Sequence, residues 1–114
     1  MRNMDNGESE RRKYNRITYP EEICPKITIK NIKFKVADIS EEGLGFLNNQ
    51  KMTFKGWVSG TLSFQNGRNV DVEAIVVRQA DNNLGLHFVS SLPKSLIKHE
   101  REFVDSNIDN GNRE

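Results

Sequence analysis

Val58-Ser59-Gly60-Thr61-Leu62-Ser63-Phe64-Gln65-Asn66-Gly67-Arg68-Asn69-Val70-Asp71-Val72-Glu73-Ala74-Ile75-Val76-Val77-Arg78 is the stretch that decides the fold class. Val58, Leu62 and Phe64 share one parity, and Val70, Val72, Ala74 and Val76 share another. Alternation of this kind marks half-buried β-strands, whose side chains point to opposite faces in turn. Asn66-Gly67 lies between the two runs, which predicts a hairpin with a type I′ turn and positive φ at both central residues. The second strand carries Asp71 and Glu73 on its other face, then Ile75 and Val77. It is therefore expected to begin at an exposed edge and to end covered on both sides.

The same pattern continues outward in both directions. Upstream, Ile23, Ile27 and Ile29 sit among Lys26, Thr28 and Lys30, and Ile32, Phe34 and Val36 alternate with Lys33 and Lys35. Asn31 is either the turn between two strands or a bend in one long strand. Leu44 to Leu47 forms a short apolar run after Gly43. Downstream, Asp81-Asn82-Asn83 predicts a second turn, and Leu84, Leu86 and Phe88 a returning strand. After Ser90 the period changes. Pro93 suits a first helical turn, and Leu92, Leu96, Ile97, Phe103 and Val104 fall at helical spacing, which predicts an amphipathic helix of about three turns. About six short strands and a terminal helix predict an all-β fold, a small antiparallel β-barrel. Closure removes the unpaired edges that open strands leave, and the helix would cover one open end.

A chain of 114 residues holds one core. Residues 1–10 and 105–114 are polar and read as tails, which leaves 11–104 as the domain. The 17 Lys and Arg against 16 Asp and Glu exclude a polycation that coats nucleic acid or lipid indiscriminately, so any basic site must be local. No apolar run approaches the ~20 residues of a membrane span, and no hydrophobic stretch follows Met1 as in a secretory leader. A cytoplasmic location is the expectation. Cys24 stands alone, and with His87 and His99 it does not make a four-ligand zinc site. There is no Ser-His-Asp arrangement and no Walker-type loop, so no enzyme activity, metal or cofactor is expected.

Two segments exceed what a barrel needs. In Arg11-Arg12-Lys13-Tyr14-Asn15-Arg16, four of six residues are cationic, and folding gains nothing from placing them together. An arginine fork matches a phosphate or the acceptor edge of guanine. In extended chain Arg12 and Arg16 lie ~13 Å apart, which suits a dinucleotide-sized anion. A plain solvated lead-in to the first strand is the other reading. In Asp38-Ile39-Ser40-Glu41-Glu42-Gly43, Asp38 and Ser40 can start a turn and Gly43 can take positive φ. Alternatively, Asp38 accepts from a guanine's N–H donors, Ser40 adds a hydroxyl, and Gly43 lets a ligand approach the backbone. Glu41 and Glu42 would then have to point away from phosphate.

Arg12-x-x-x-Arg16 followed by Asp38-x-Ser40-x-x-Gly43, with Gly43-Leu44-Gly45-Phe46, Val76-Val77-Arg78 and Leu84-Gly85-Leu86-His87-Phe88 behind them, resembles the PilZ domain, the bacterial receptor module for the second messenger cyclic di-GMP. The resemblance covers roughly Glu10 to Val104. It implies a six-stranded antiparallel barrel with a C-terminal helix and a ligand site between the arginine segment and the barrel surface. It further implies that Arg12 and Arg16 grip guanine edge and phosphates, that Asp38 and Ser40 bind a guanine, and that Gly43 keeps the turn open. Arg11, just before the first motif arginine, resembles members that hold two intercalated ligand molecules per chain. A third guanidinium would offset part of the repulsion among their phosphates. A downstream protein partner is implied, with the chain as monomer or homodimer and no nucleic acid bound.

Other residues are set aside for blander roles. Trp57 is taken as core or rim packing rather than a stacking platform. His87 is taken as a surface residue. Tyr14 as a base stacker and Arg78 as a phosphate contact are the minority readings. Two other functions fit the chain less well: a ligand-independent adaptor barrel, and a small barrel for single-stranded nucleic acid, which would want more exposed aromatics.

Overall fold

The computed structural model describes residues 16–50 and 52–112. The strands are β1 (Ile17–Thr18), β2 (Lys26–Ile29), β3 (Ile32–Ile39), β4 (Gly43–Leu47), β5 (Trp57–Ser63), β6 (Asn69–Ala80) and β7 (Asn83–Phe88), followed by helix α1 (Lys94–Asn112). All pairings are antiparallel. The order β3-β2-β5-β6-β7-β4 closes through a β3–β4 pairing into the expected six-stranded barrel. The short β1 adds to β3 beyond the point where β2 departs, with Ile17 opposite Ile39 and Thr18 opposite Asp38.

Alternation places Ile27, Ile29, Phe34, Val36, Leu62, Ala74, Leu84 and Leu86 inside the barrel, all buried. Phe34, Phe46 and Phe54 meet there with ring centroids 4.8–6.1 Å apart in tilted and edge-to-face geometry. Helix α1 covers one end as expected, burying Leu96, Ile97 and Val104 together with Leu92 just before it. The Pro93 carbonyl accepts the amide of Ile97, so Pro93 sits at the helix entrance. Among the described residues no helix is long and apolar enough to cross a membrane.

Four local expectations are corrected. Ile23 lies in a 3₁₀ turn (Glu21–Ile23), not in a strand; Pro20 and Pro25 on either side lack the N–H groups a ladder needs. The type I′ turn belongs to Lys30 and Asn31, with φ of 54° and 69°, between paired Ile29 and Ile32. At Asn66-Gly67 only Gly67 has positive φ, 91°. There Phe64 pairs with Arg68 and its carbonyl accepts the Gly67 amide, which makes a three-residue loop. Ile75 and Val77 are exposed rather than covered, because among the described residues no second layer packs on that outer face. Helix α1 spans 19 residues instead of about three turns, and so enters the segment 105–114 read as a tail. Elongating an existing helix adds one hydrogen bond per residue without a new nucleation cost. The Asn107 side chain also donates to the Phe103 carbonyl at 2.8 Å.

Candidate functional site

β3 delivers Asp38 to the outer face of the barrel through a register shift against β4 between Val36 and Asp38. β1 follows directly on Arg16 and pairs Thr18 with Asp38. The two motif residues therefore meet, with Arg16 Nη1 donating to Asp38 Oδ1 at 2.8 Å across 22 residues of sequence. The pair is partly open to water, at 53 % and 28 % side-chain exposure, so solvent screens it and both groups can still reach a ligand. The Arg16 carbonyl accepts from Arg101 Nη2 of α1 at 3.1 Å, which fastens the motif residue to the helix. At the preceding helix residue, Tyr19 donates to Glu100 Oε1 at 2.5 Å inside the protein. Burial first, and then that hydrogen bond, push the Tyr19 phenol well above its ordinary pKa.

Ser40 is buried. Its hydroxyl accepts the Glu42 amide at 3.2 Å, and its own amide donates to the Gly43 carbonyl at 2.8 Å. The turn reading of this segment is thus realised in the structure. Gly43 does not use positive φ, contrary to expectation. A Cβ there would stand 2.2 Å from the Leu86 carbonyl oxygen, so the residue must be glycine for β4 to approach β7. Glu42 turns its carboxylate to the Ser91 hydroxyl, 3.0 Å away. Arg16, Ser40, Glu42, Gly43, Val77 and His87 surround an open cavity of about 560 Å³.

The floor beside this cavity has no counterpart in the sequence reading. Gly45 lies opposite Asp38 and also opposite Gly85, and Gly85 lies opposite Arg78. A Cβ on Gly45 would stand 3.3 Å from both Asp38 carboxylate oxygens, and one on Gly85 would stand 3.4 Å from the Arg78 Cβ and Cζ. Two adjacent glycines thus lie beneath an acid at one end and a guanidinium at the other. A register shift between Val76 and Arg78 produces this arrangement: it breaks the alternation of β6, so that Arg78 lies over Gly85 on the outer face. The two glycines make room on the sheet for the Asp38 carboxylate and the Arg78 guanidinium to lie against it, which sets an acceptor for N–H donors beside a cation, a pairing that suits a planar heterocycle.

Two residues that were set aside are exposed on the sheet. His87 lines the cavity. Trp57 is 60 % exposed rather than packed in the core or rim, because its parity on β5 faces outward. Arg11, Arg12 and Tyr14 lie outside the described residues. Cys24 is buried, and no group of metal-ligating side chains occurs among the described residues.

The family model of the PilZ domain matches residues 10–106. No curated protein matches. Among solved structures, a Legionella uncharacterized protein shares the fold with a TM-score of 0.55 at 20 % identity, over 87 % of this chain and 98 % of that one.

Proposed function

The chain belongs to the PilZ domain family, a family of cyclic di-GMP receptors, and we propose that it binds cyclic di-GMP over the Gly45–Gly85 strip as a non-catalytic receptor. The observation that carries this reading is the junction of Arg16 and Asp38, far apart in sequence, at the end of that strip. Asp38 accepts from the N–H edge of a guanine, and the base lies on the glycines. Arg16 turns toward a phosphate, joined by Arg12 and Arg11 from the preceding segment. Arg78, at the far end, faces the second base or phosphate. Ser40 acts by holding the turn that presents Gly43 and by lining the cavity.

Arg11 supports a stoichiometry of two ligands per chain, since stacked cyclic dinucleotides concentrate about four phosphate charges and reward a further guanidinium. Binding draws the arginine segment against the barrel. That changes the surface offered to a downstream protein in the cytoplasm. Calorimetric titration of the full chain with cyclic di-GMP tests the reading, with the linear dinucleotide and GTP as controls. Saturable heat with the cyclic ligand alone is expected. No heat, or equal heat with GTP, overturns the proposal.

A further inference from the structure

The large apolar side chains exposed among the described residues are Trp57, Ile75, Val77 and Val89. They share one place. Trp57 is opposite Ile75, Ile75 is opposite His87, Val77 follows on the same strand, and the Val89 amide bonds the Glu73 carbonyl. Scattered exposed hydrophobics are ordinary, whereas a joined set including a tryptophan marks a contact surface. Toward the start of β6 the same face becomes acidic with Glu73 and Asp71, which border a groove of about 640 Å³. Asp71 accepts from the Thr61 hydroxyl at 2.9 Å, and both carboxylates are exposed. Lys30 borders the groove from the opposite side, with its ammonium 5.9 Å from the Phe54 ring centroid.

We propose that this face docks a partner protein through a segment that sets a bulky apolar side chain on Trp57 and Ile75 and a lysine or arginine on Glu73 and Asp71. On β6 the two carboxylates lie about 7 and 13 Å from Ile75. Their charge opposes a nucleic-acid backbone or an anionic membrane and favours a basic group. The proposal rests on the receptor reading for its regulation: Val77 belongs both to this face and to the candidate ligand cavity, so bound ligand borders the partner.

The test is selection of twelve-residue peptides from a random display library on the immobilised full chain, with and without cyclic di-GMP. Enriched peptides should pair an aromatic or leucine with Lys or Arg. Trp57→Ser should lower recovery of those peptides at least tenfold, and D71K/E73K should turn the preference toward acidic peptides. Both variants should bind cyclic di-GMP as the parent does. No enrichment, or enrichment without that pairing, overturns the proposal. So does enrichment that survives Trp57→Ser, or a concentration-dependent dimer in sedimentation that Trp57→Ser abolishes. Peptide selection by a parent chain that gives no heat with cyclic di-GMP would leave the docking face standing and overturn the receptor reading alone.

Discussion

Arg16 and Asp38 are hydrogen-bonded ion-pair partners at 2.8 Å, one leading into the first strand and the other near the end of the third. Because the pair is part-exposed, its loss should cost the fold at most about 1 kcal/mol. Its loss from a ligand complex should cost far more. Arg16→Ala and Asp38→Ala are each expected to weaken cyclic di-GMP binding by about 1.5–3 kcal/mol, the range of charge-assisted hydrogen bonds. Titration calorimetry and a melting curve on the same samples separate the two effects, and near-parental affinity in both variants would place the ligand elsewhere.

Gly43 and Gly85 should respond in opposite ways to one added methyl group. Gly43→Ala drives a Cβ into the Leu86 carbonyl, a backbone clash expected to cost about 3 kcal/mol, the upper end for overpacking. Gly85→Ala meets only ordinary contact with the Arg78 side chain, so its melting temperature should stay close to the parent's. It raises the strip on which the base lies, and binding should fall at least tenfold. Equal behaviour of the two variants in binding and melting would remove the strip from the site.

Tyr19 links stability to alkaline pH. Its phenol is raised above the ordinary 10.0 by burial and then by its bond to Glu100. The unfolded chain releases that proton near its unperturbed value, at about pH 10, while the folded chain keeps it. The contribution is therefore complete below that pH and declines as pH rises through it. Tyr19→Phe should lower stability at neutral pH by about 1.5–3 kcal/mol, since a buried carboxylate loses its donor. It should also remove this part of the alkaline decline, as read from urea midpoints across about pH 9 to 11.

Arg11→Leu should reduce the calorimetric stoichiometry from two ligands to one while the fold persists. Affinity of the parent chain should decline with added salt, because the proposed contacts are ionic and partly exposed. A parent chain that saturates at one equivalent refutes the pairing of two ligands.

Strand alternation made the barrel legible, because Ile27, Phe34, Leu62, Ala74 and Leu86 follow a period that only a half-buried sheet rewards. The meeting of Arg16 with Asp38 was legible through motif spacing and resemblance. The glycine strip was not. It depends on register shifts at Val36–Asp38 and Val76–Arg78, and a bulge leaves the residue types unchanged while altering which way they face. Trp57 and Val77 were misplaced for a related reason: hydrophobicity predicts burial only where another layer exists to bury against. The long helix escaped notice because Asn, Asp, Ser and Gly argue against helix locally, whereas an existing helix favours its own continuation.

The glycine pair between Asp38 and Arg78 carries a consequence for how the proposed receptor would drift. A Cβ on Gly85 meets only the Arg78 side chain, so a change to alanine there would meet little resistance from protein quality control. A gene copy altered at that position would yield an abundant, well-formed barrel that is deaf to the messenger. On the proposed reading, sensing would be easier to lose than shape.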